Sequence, residues 1–188
     1  MFWTKVLVFE KVLLGPERRS HILSKDEKKI TAYHEMGHAL VASVLDKADP
    51  VHKVSIISRG QAAGFTLKLP YEERKLHSRS EFLDDIAVAL GGYAAERMIF
   101  DDLTTGASND IEMATALARN MVSRFGMSDE VGPVAFIDRG GLLGKANEYS
   151  ERSAAVLDTA VVKLMKDGLA RAEEVLSNHR EALDNMSA

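Results

Sequence analysis

Apolar residues recur at spacings of three and four from Ile30 through Tyr33, Gly37, Leu40, Val41 and Val44, a pattern that predicts a helix with one buried stripe. The helix opens at Ser24-Lys25-Asp26-Glu27, where the serine hydroxyl and the glutamate carboxylate are spaced to cap each other's backbone amides. It closes at about Leu45, ahead of Asp49-Pro50. The period then changes. Residues 51–58 are rich in β-branched side chains, and residues 64–69 alternate, with Phe65, Leu67 and Leu69 on one face and Thr66 and Lys68 on the other. Two strands joined around Arg59-Gly60-Gln61 are expected. The second belongs at the margin of a small sheet, since Pro70 follows it and Lys68 lies on an open face.

A second capping box, Ser78-Arg79-Ser80-Glu81, opens a helix expected to run to Phe100 through Phe82, Ile86, Ala89, Leu90 and Tyr93. Gly91-Gly92 in its middle costs about 1 kcal/mol per glycine relative to alanine, which points to another backbone packing closely there. After Thr104-Thr105-Gly106, Ser108 or Asn109 is placed to cap a third helix ending at Gly126. Residues 138–149 read as a loop. A last helical region from Ser150 carries Met165, Leu169, Ala172 and Leu176 on one side, with breaks expected near Gly168 and at Ser177-Asn178. The chain is therefore mainly α, with a small β-sheet or hairpin beside its first long helix.

The N-terminal residues read differently. Residues 9–14 suit a short amphipathic helix stopped by Gly15-Pro16, so residues 1–20 are expected to be a linker and 21–188 the domain. Lys5, Glu10 and Lys11 interrupt the apolar start well short of the roughly 20 residues of a membrane span, and no signal-peptide pattern is present. With 188 residues, 46% hydrophobic and 28% charged, the chain fits one soluble globular domain. A net charge of −4 without a basic, aromatic-laced cluster argues against nucleic-acid binding. Because there is no cysteine, any metal site must use histidine and carboxylate.

Such a set stands in the first helix. His34-Glu35-Met36-Gly37-His38 is an H-E-x-x-H match, and residues four apart share a helical face, so both imidazoles can converge on one ion. Glu35 then flanks that face, placed as general base and acid for a water that the metal activates. The plain alternative is two packed or solvated imidazoles on an amphipathic helix. A catalytic zinc needs a third protein ligand. The extended H-E-x-x-H-x-x-G-x-x-H pattern is absent, because Val41 and Val44 occupy its glycine and histidine positions. Two carboxylates remain, Glu96 and Asp110, each of which has an ordinary reading as a helix-surface acid or a helix-start residue. His21, His52, His77 and His179 have no partner at metal spacing and are assigned to solvent or packing.

The run Thr31-Ala32-Tyr33-His34-Glu35-Met36-Gly37-His38-Ala39-Leu40, then Thr104-Thr105-Gly106-Ala107-Ser108-Asn109-Asp110 and Phe125-Gly126-Met127-Ser128, resembles the peptidase domain of the FtsH family of membrane-anchored, ATP-dependent AAA zinc proteases. The resemblance implies one Zn2+ per chain on His34, His38 and Asp110, with Glu35 catalytic and Glu96 supporting the site by orienting a ligand histidine. A margin strand near the metal can pair with an extended substrate through main-chain hydrogen bonds, so an unfolded polypeptide is expected beside Gly64, Phe65, Thr66, Leu67 and Lys68, the plain alternative being an ordinary edge strand. The resemblance further implies a homo-hexamer fed by an AAA ATPase module, anchored in a membrane with this domain on the cytoplasmic, matrix or stromal side. ATP and Mg2+ belong to that module; Gly140 to Lys145 followed by Ala146 has the wrong spacing for a phosphate-binding loop and no hydroxyl for magnesium. On this view the chain is a soluble peptidase fragment, residues 9–20 are the junction to the ATPase, and part of Met1 to Val8 is not native to it. Met36 stands where a small residue is usual and Tyr93 where an arginine is, and residues 158–165 are less charged than in typical members; none of these touches a proposed ligand or the base. Two other readings compete: a catalytically idle scaffold that keeps a structural metal, and a standalone peptidase that needs no ATPase.

Overall fold

The computed structural model describes residues 23–57, 64–68, 75–136 and 150–188. The expected N-terminal linker with its short helix, the turn around Gly60, Leu69-Pro70 and the 138–149 loop lie outside these residues. Both capping boxes form. Ser24 Oγ accepts from Glu27 N at 3.1 Å while Glu27 Oε2 accepts from Ser24 N at 2.8 Å, and helix α1 runs over Lys25–Val44. Ser78 and Glu81 repeat the exchange at the start of α2, Arg79–Ala89. Between these helices, β1 (Val51–Ser55) and β2 (Phe65–Lys68) pair antiparallel with Val54 opposite Thr66.

The expected second long helix is in fact two. Leu90, at φ −87° and ψ 0°, joins α2 to α3, Gly91–Phe100, without losing the backbone ladder: Leu90 N bonds Ile86 O at 3.0 Å and Ala94 N bonds Leu90 O at 2.9 Å. The change of direction sits where α1 and α3 cross almost backbone to backbone. A Cβ on Gly37 would lie 2.4 Å from Gly91 O, and one on Gly91 would lie 2.8 Å from Gly37 O, so neither residue can carry a side chain without moving a helix. The close approach expected at the glycine pair is present.

Next, neither Ser108 nor Asn109 caps the following helix. Thr104 caps a 3-10 turn, Thr105–Ala107, its Oγ1 accepting from Gly106 N at 3.1 Å, and α4 continues from that turn over Ser108–Ser123. The extra turn already satisfies the amides that a cap would serve. Helix α4 stops three residues before Gly126, whose φ of +63° turns the chain so that Met127 N reaches Met121 O at 2.9 Å.

Helix α5, Glu151–Asn178, is unbroken through Gly168. That glycine is a contact point, not a hinge, because a Cβ there would meet Ile86 Cγ2 of α2 at 2.5 Å. The break expected near Ser177-Asn178 does occur, and α6 follows over Arg180–Ser187.

Two apolar clusters hold these elements. Leu40 and Val41 of α1, Ala94 and Ala95 of α3, Ala172 and Leu176 of α5 and Leu183 of α6 form one. Ile86 of α2 with Leu90 at its end, Met121 and Val122 of α4 and Leu157 and Leu164 of α5 form the other. Each fully buried Leu, Ile, Val or Met among them contributes roughly 1.5–3 kcal/mol. The buried face of α1 is wider than the expected stripe, extending over His34, Glu35 and His38 through Ala42, while Val44 at the helix end is 37% exposed, on the side of the last turn away from buried Val41 and Ala42. Among the described residues no helix is long and apolar enough to cross a membrane.

Candidate metal and active site

His34 and His38 lie one turn apart on α1, their ring centroids 4.7 Å apart and the rings inclined at 79°. Each ring is fixed through its Nδ1. That of His38 is 2.7 Å from the Val88 carbonyl, which can only accept, so the proton sits on Nδ1. That of His34 is 2.7 Å from Glu96 Oε1, and a carboxylate there again assigns the proton to Nδ1. In their neutral forms both rings therefore present a bare Nε2. These two nitrogens face each other at 3.1 Å, with Asp110 Oδ2 at 3.2 Å from His34 Nε2 and 3.3 Å from His38 Nε2.

Three lone-pair-bearing atoms at such distances repel unless a cation lies among them. A tetrahedral site with bonds of about 2.0–2.1 Å has ligand-to-ligand edges of about 3.3 Å, which matches the observed separations. His34, His38 and Asp110 are accordingly the set, among the described residues, whose ligand atoms could hold a metal ion. Two neutral nitrogens and one anionic oxygen suit Zn2+ and leave a fourth position for water or substrate.

The local charges follow from this crowding. Burial pulls the His34 imidazole toward neutrality, but hydrogen bonds to Asp110 and then Glu96 outweigh it and push its pKa up to about 9. In the metal-free protein a proton thus separates the lone pairs. Burial favours a protonated Asp110, yet the hydrogen bonds and charges of His34 and His38 prevail and hold its carboxyl well below the usual carboxylate range. Asp110 also stands in the first turn of α4, where the helix dipole favours an anion.

Glu96 is 1% exposed and does not face the point of convergence. Its Oε1 holds the outer nitrogen of His34, and its Oε2 accepts from Thr104 N at 2.8 Å, tying the ring to the turn that leads into α4. Burial raises its carboxyl, but the His34 and Thr104 hydrogen bonds lower it further than burial lifts it.

Glu35, 7% exposed, projects beside the pair, and burial raises its carboxyl despite the opposing Thr66 hydrogen bond and the nearby imidazoles. Thr66 Oγ1 donates to Glu35 Oε2 at 2.7 Å. Lys68 Nζ, on the same face of β2, lies 3.6 Å from Asp85 Oδ1. The polar face of β2, expected to be open, is thus turned toward the helices, because its hydroxyl and ammonium have carboxylate partners there. Phe65 and Leu67 take the other face of β2, and Gly64, just before the strand, lies against Glu35.

Three supports went unseen in the chain's pattern: the Val88 carbonyl, the Thr104 amide and the missing side chain of Gly92. A Cβ on Gly92 would lie 2.5 Å from His34 Nε2. Of the other described histidines, His77 stacks on Phe82 with centroids 5.5 Å apart, His179 holds the Val175 carbonyl at 2.9 Å, and His52 is exposed on β1. His21 lies outside the described residues.

The model of Peptidase family M41 matches residues 21–188. The ATP-dependent zinc metalloprotease FtsH of Veillonella parvula is 47% identical over 184 residues, covering 95% of this chain and 29% of that protein. FtsH 3 of Petrotoga mobilis is 48% identical over 181 residues, 93% of this chain and 28% of its own length. FtsH of Thermotoga maritima is 45% identical over 184 residues, 94% of this chain and 30% of its own. The chain thus spans about three-tenths of the length of these curated relatives.

Proposed function

Because the chain belongs to peptidase family M41, we propose that it is a zinc-dependent endopeptidase domain, with the metal on His34, His38 and Asp110 and with Glu35 as general base and acid. The observation that carries this reading is the mutual spacing of 3.1–3.3 Å among the two Nε2 atoms and Asp110 Oδ2. When bound, zinc supplies Lewis acidity, which acidifies water and polarises a substrate carbonyl. The chain's own residues do the rest. Glu96 and the Val88 carbonyl hold the two rings in the tautomer that offers Nε2, and Asp110 adds an anionic oxygen. Glu35 takes the proton of the attacking water as its oxygen bonds to the peptide carbon, then passes that proton to the amine as the C–N bond breaks. Its raised carboxyl suits both duties, since a base that must later act as an acid works best nearer neutrality.

An extended, unfolded polypeptide is the substrate that fits. It lies beside Gly64, Phe65, Thr66, Leu67 and Lys68, pairing by main-chain hydrogen bonds with the edge of β2 opposite β1, the one strand that pairs with β2 among the described residues. By the same reading residues 21–188 are the peptidase unit and residues 1–20 its link to an AAA ATPase module, where ATP and Mg2+ act. The whole protein is a homo-hexamer anchored in a membrane, with this domain on the cytoplasmic side or its organellar equivalent.

The test compares the parent with Glu35→Gln by metal analysis and casein degradation, each protein assayed alone and joined to the ATPase module. About one zinc per chain is expected in both, with cleavage reduced at least ~100-fold in the variant. Undiminished cleavage by Glu35→Gln removes Glu35 from the reaction; zinc without cleavage in the joined parent removes the peptidase reading altogether.

A further inference from the structure

Gly64, the residue immediately before β2, and Thr66 within it both meet Glu35. The Thr66 hydroxyl has one proton and two acceptors within reach, Glu35 Oε2 at 2.7 Å and the Glu35 backbone carbonyl at 3.1 Å. The shorter contact, to a carboxylate oxygen, is the stronger one. On the other side, a Cβ at Gly64 would lie 2.8 Å from Glu35 Oε1 and 2.9 Å from its Cγ, so the bare glycine is what leaves room for the carboxylate. Glu35 is thus gripped at one oxygen by β2 and given clearance at the other by the residue that precedes it.

We propose that β2 and the glycine that leads into it aim the general base: Thr66 is a positioning residue that holds Glu35 Oε2, and Gly64 is the clearance that lets Oε1 stay in place. The proposal rests on the peptidase reading above. A free glutamate samples many side-chain orientations, of which few point at the reacting water, and the Thr66 hydrogen bond removes most of them. Since the substrate is to pair with the main chain of β2, one element seats the peptide and orients the base. The two duties use different atoms. Main-chain pairing is indifferent to the Thr66 hydroxyl, so loss of that hydroxyl changes turnover and leaves substrate binding alone.

The experiment measures zinc content, kcat and KM on a fluorogenic peptide for the zinc-loaded protein in the form that cleaves casein. Variants are Thr66→Val, which keeps shape and loses the hydroxyl, Thr66→Ser, which keeps the hydroxyl, and Gly64→Ala. Thr66→Val is expected to lower kcat about 10- to 100-fold with KM and zinc unchanged, and Thr66→Ser to stay within about threefold of the parent. Gly64→Ala is expected to lower kcat with zinc retained. If Thr66→Val does not fold, Thr66→Ala takes its place with the same expected loss. A parental kcat in the hydroxyl-free variant, a rise in KM at constant kcat, or no rescue by serine overturns the inference while the peptidase reading stands. A parent that does not cleave, or a Glu35→Gln variant that cleaves as the parent does, overturns both.

Discussion

Gly92→Ala sets helix propensity against the geometry of the metal site, and the two predict opposite results. In a helix interior alanine is favoured over glycine by about 1 kcal/mol, so propensity alone forecasts a more stable protein with an unaltered site. The structure forecasts otherwise. The added Cβ would lie 2.5 Å from His34 Cε1 and Nε2 and 2.7 Å from Cδ2. Carbon contacts settle at about 3.5–4.0 Å, so the ring must retreat by about 1 Å. Its retreat is opposed by the 2.7 Å bond from Nδ1 to the buried Glu96. Metal–ligand distances tolerate roughly 0.2 Å, several times less than the displacement. Loss of an outer hydrogen-bond partner weakens a metal about 10- to 100-fold, and displacing a ligand atom itself costs more, so zinc affinity should fall at least ~100-fold, about 2.7 kcal/mol. Overpacking costs about 1–3 kcal/mol. Set against the propensity gain, the metal-free fold should lose no more than about 2 kcal/mol. Competition with a chromophoric chelator reads the affinity, and far-ultraviolet circular dichroism with thermal melting reads the fold. Gly91→Ala is the contrasting control: its Cβ meets the Gly37 backbone at 2.8 Å, so it should destabilise the α1–α3 crossing first and the metal only through it. Parental zinc affinity in a folded Gly92→Ala protein would refute the argument.

Two further outcomes are expected. Asp110→Ala should weaken zinc at least about tenfold more than Glu96→Ala, since one removes a ligand and the other a partner of His34 Nδ1; equilibrium dialysis showing the reverse order would exchange their roles. In the metal-free chain the His34 pKa, raised to about 9, contributes stability that is complete below about pH 6.5 and is lost as pH rises through 9. Zinc must displace that proton, so its apparent affinity should climb about tenfold per pH unit until about pH 9. Calorimetric titration at pH 7, 8 and 9 checks the slope, and a flat profile would show that His34 is already neutral at pH 7.

What could be read along the chain was local. Two imidazoles four residues apart on a capped, periodic helix needed no tertiary information, because 3.6 residues per turn alone brings them to one face. The choice between Asp110 and Glu96 was open from the residues themselves and was favoured toward Asp110 only by resemblance. In the structure the two acids reach opposite nitrogens of one ring, a difference of side set by α3 packing on α1 while α4 packs on α2 and α5. Nothing in the local pattern around either acid encodes that side. The Val88 carbonyl is still less legible, since every residue has a carbonyl and only the fold decides which one meets His38.

The glycines show the limit most clearly, because one residue type carried three meanings. At Gly91 the absent side chain admits a backbone, as expected; at Gly92 it admits an imidazole; at Gly168, read as a break, it admits the Ile86 side chain while the helix continues. A propensity scale counts each as a cost of about 1 kcal/mol and cannot tell them apart. The cost is nevertheless a signal: a helix that stays intact through glycine must gain elsewhere what the glycine loses, and tight packing at the vacant Cβ is the commonest place to gain it. On that argument a glycine within a strongly periodic helix is better read as a contact than as an end. Gly92, the neighbour of the Gly91 crossing, is then the position whose vacant Cβ leaves room for the His34 ring.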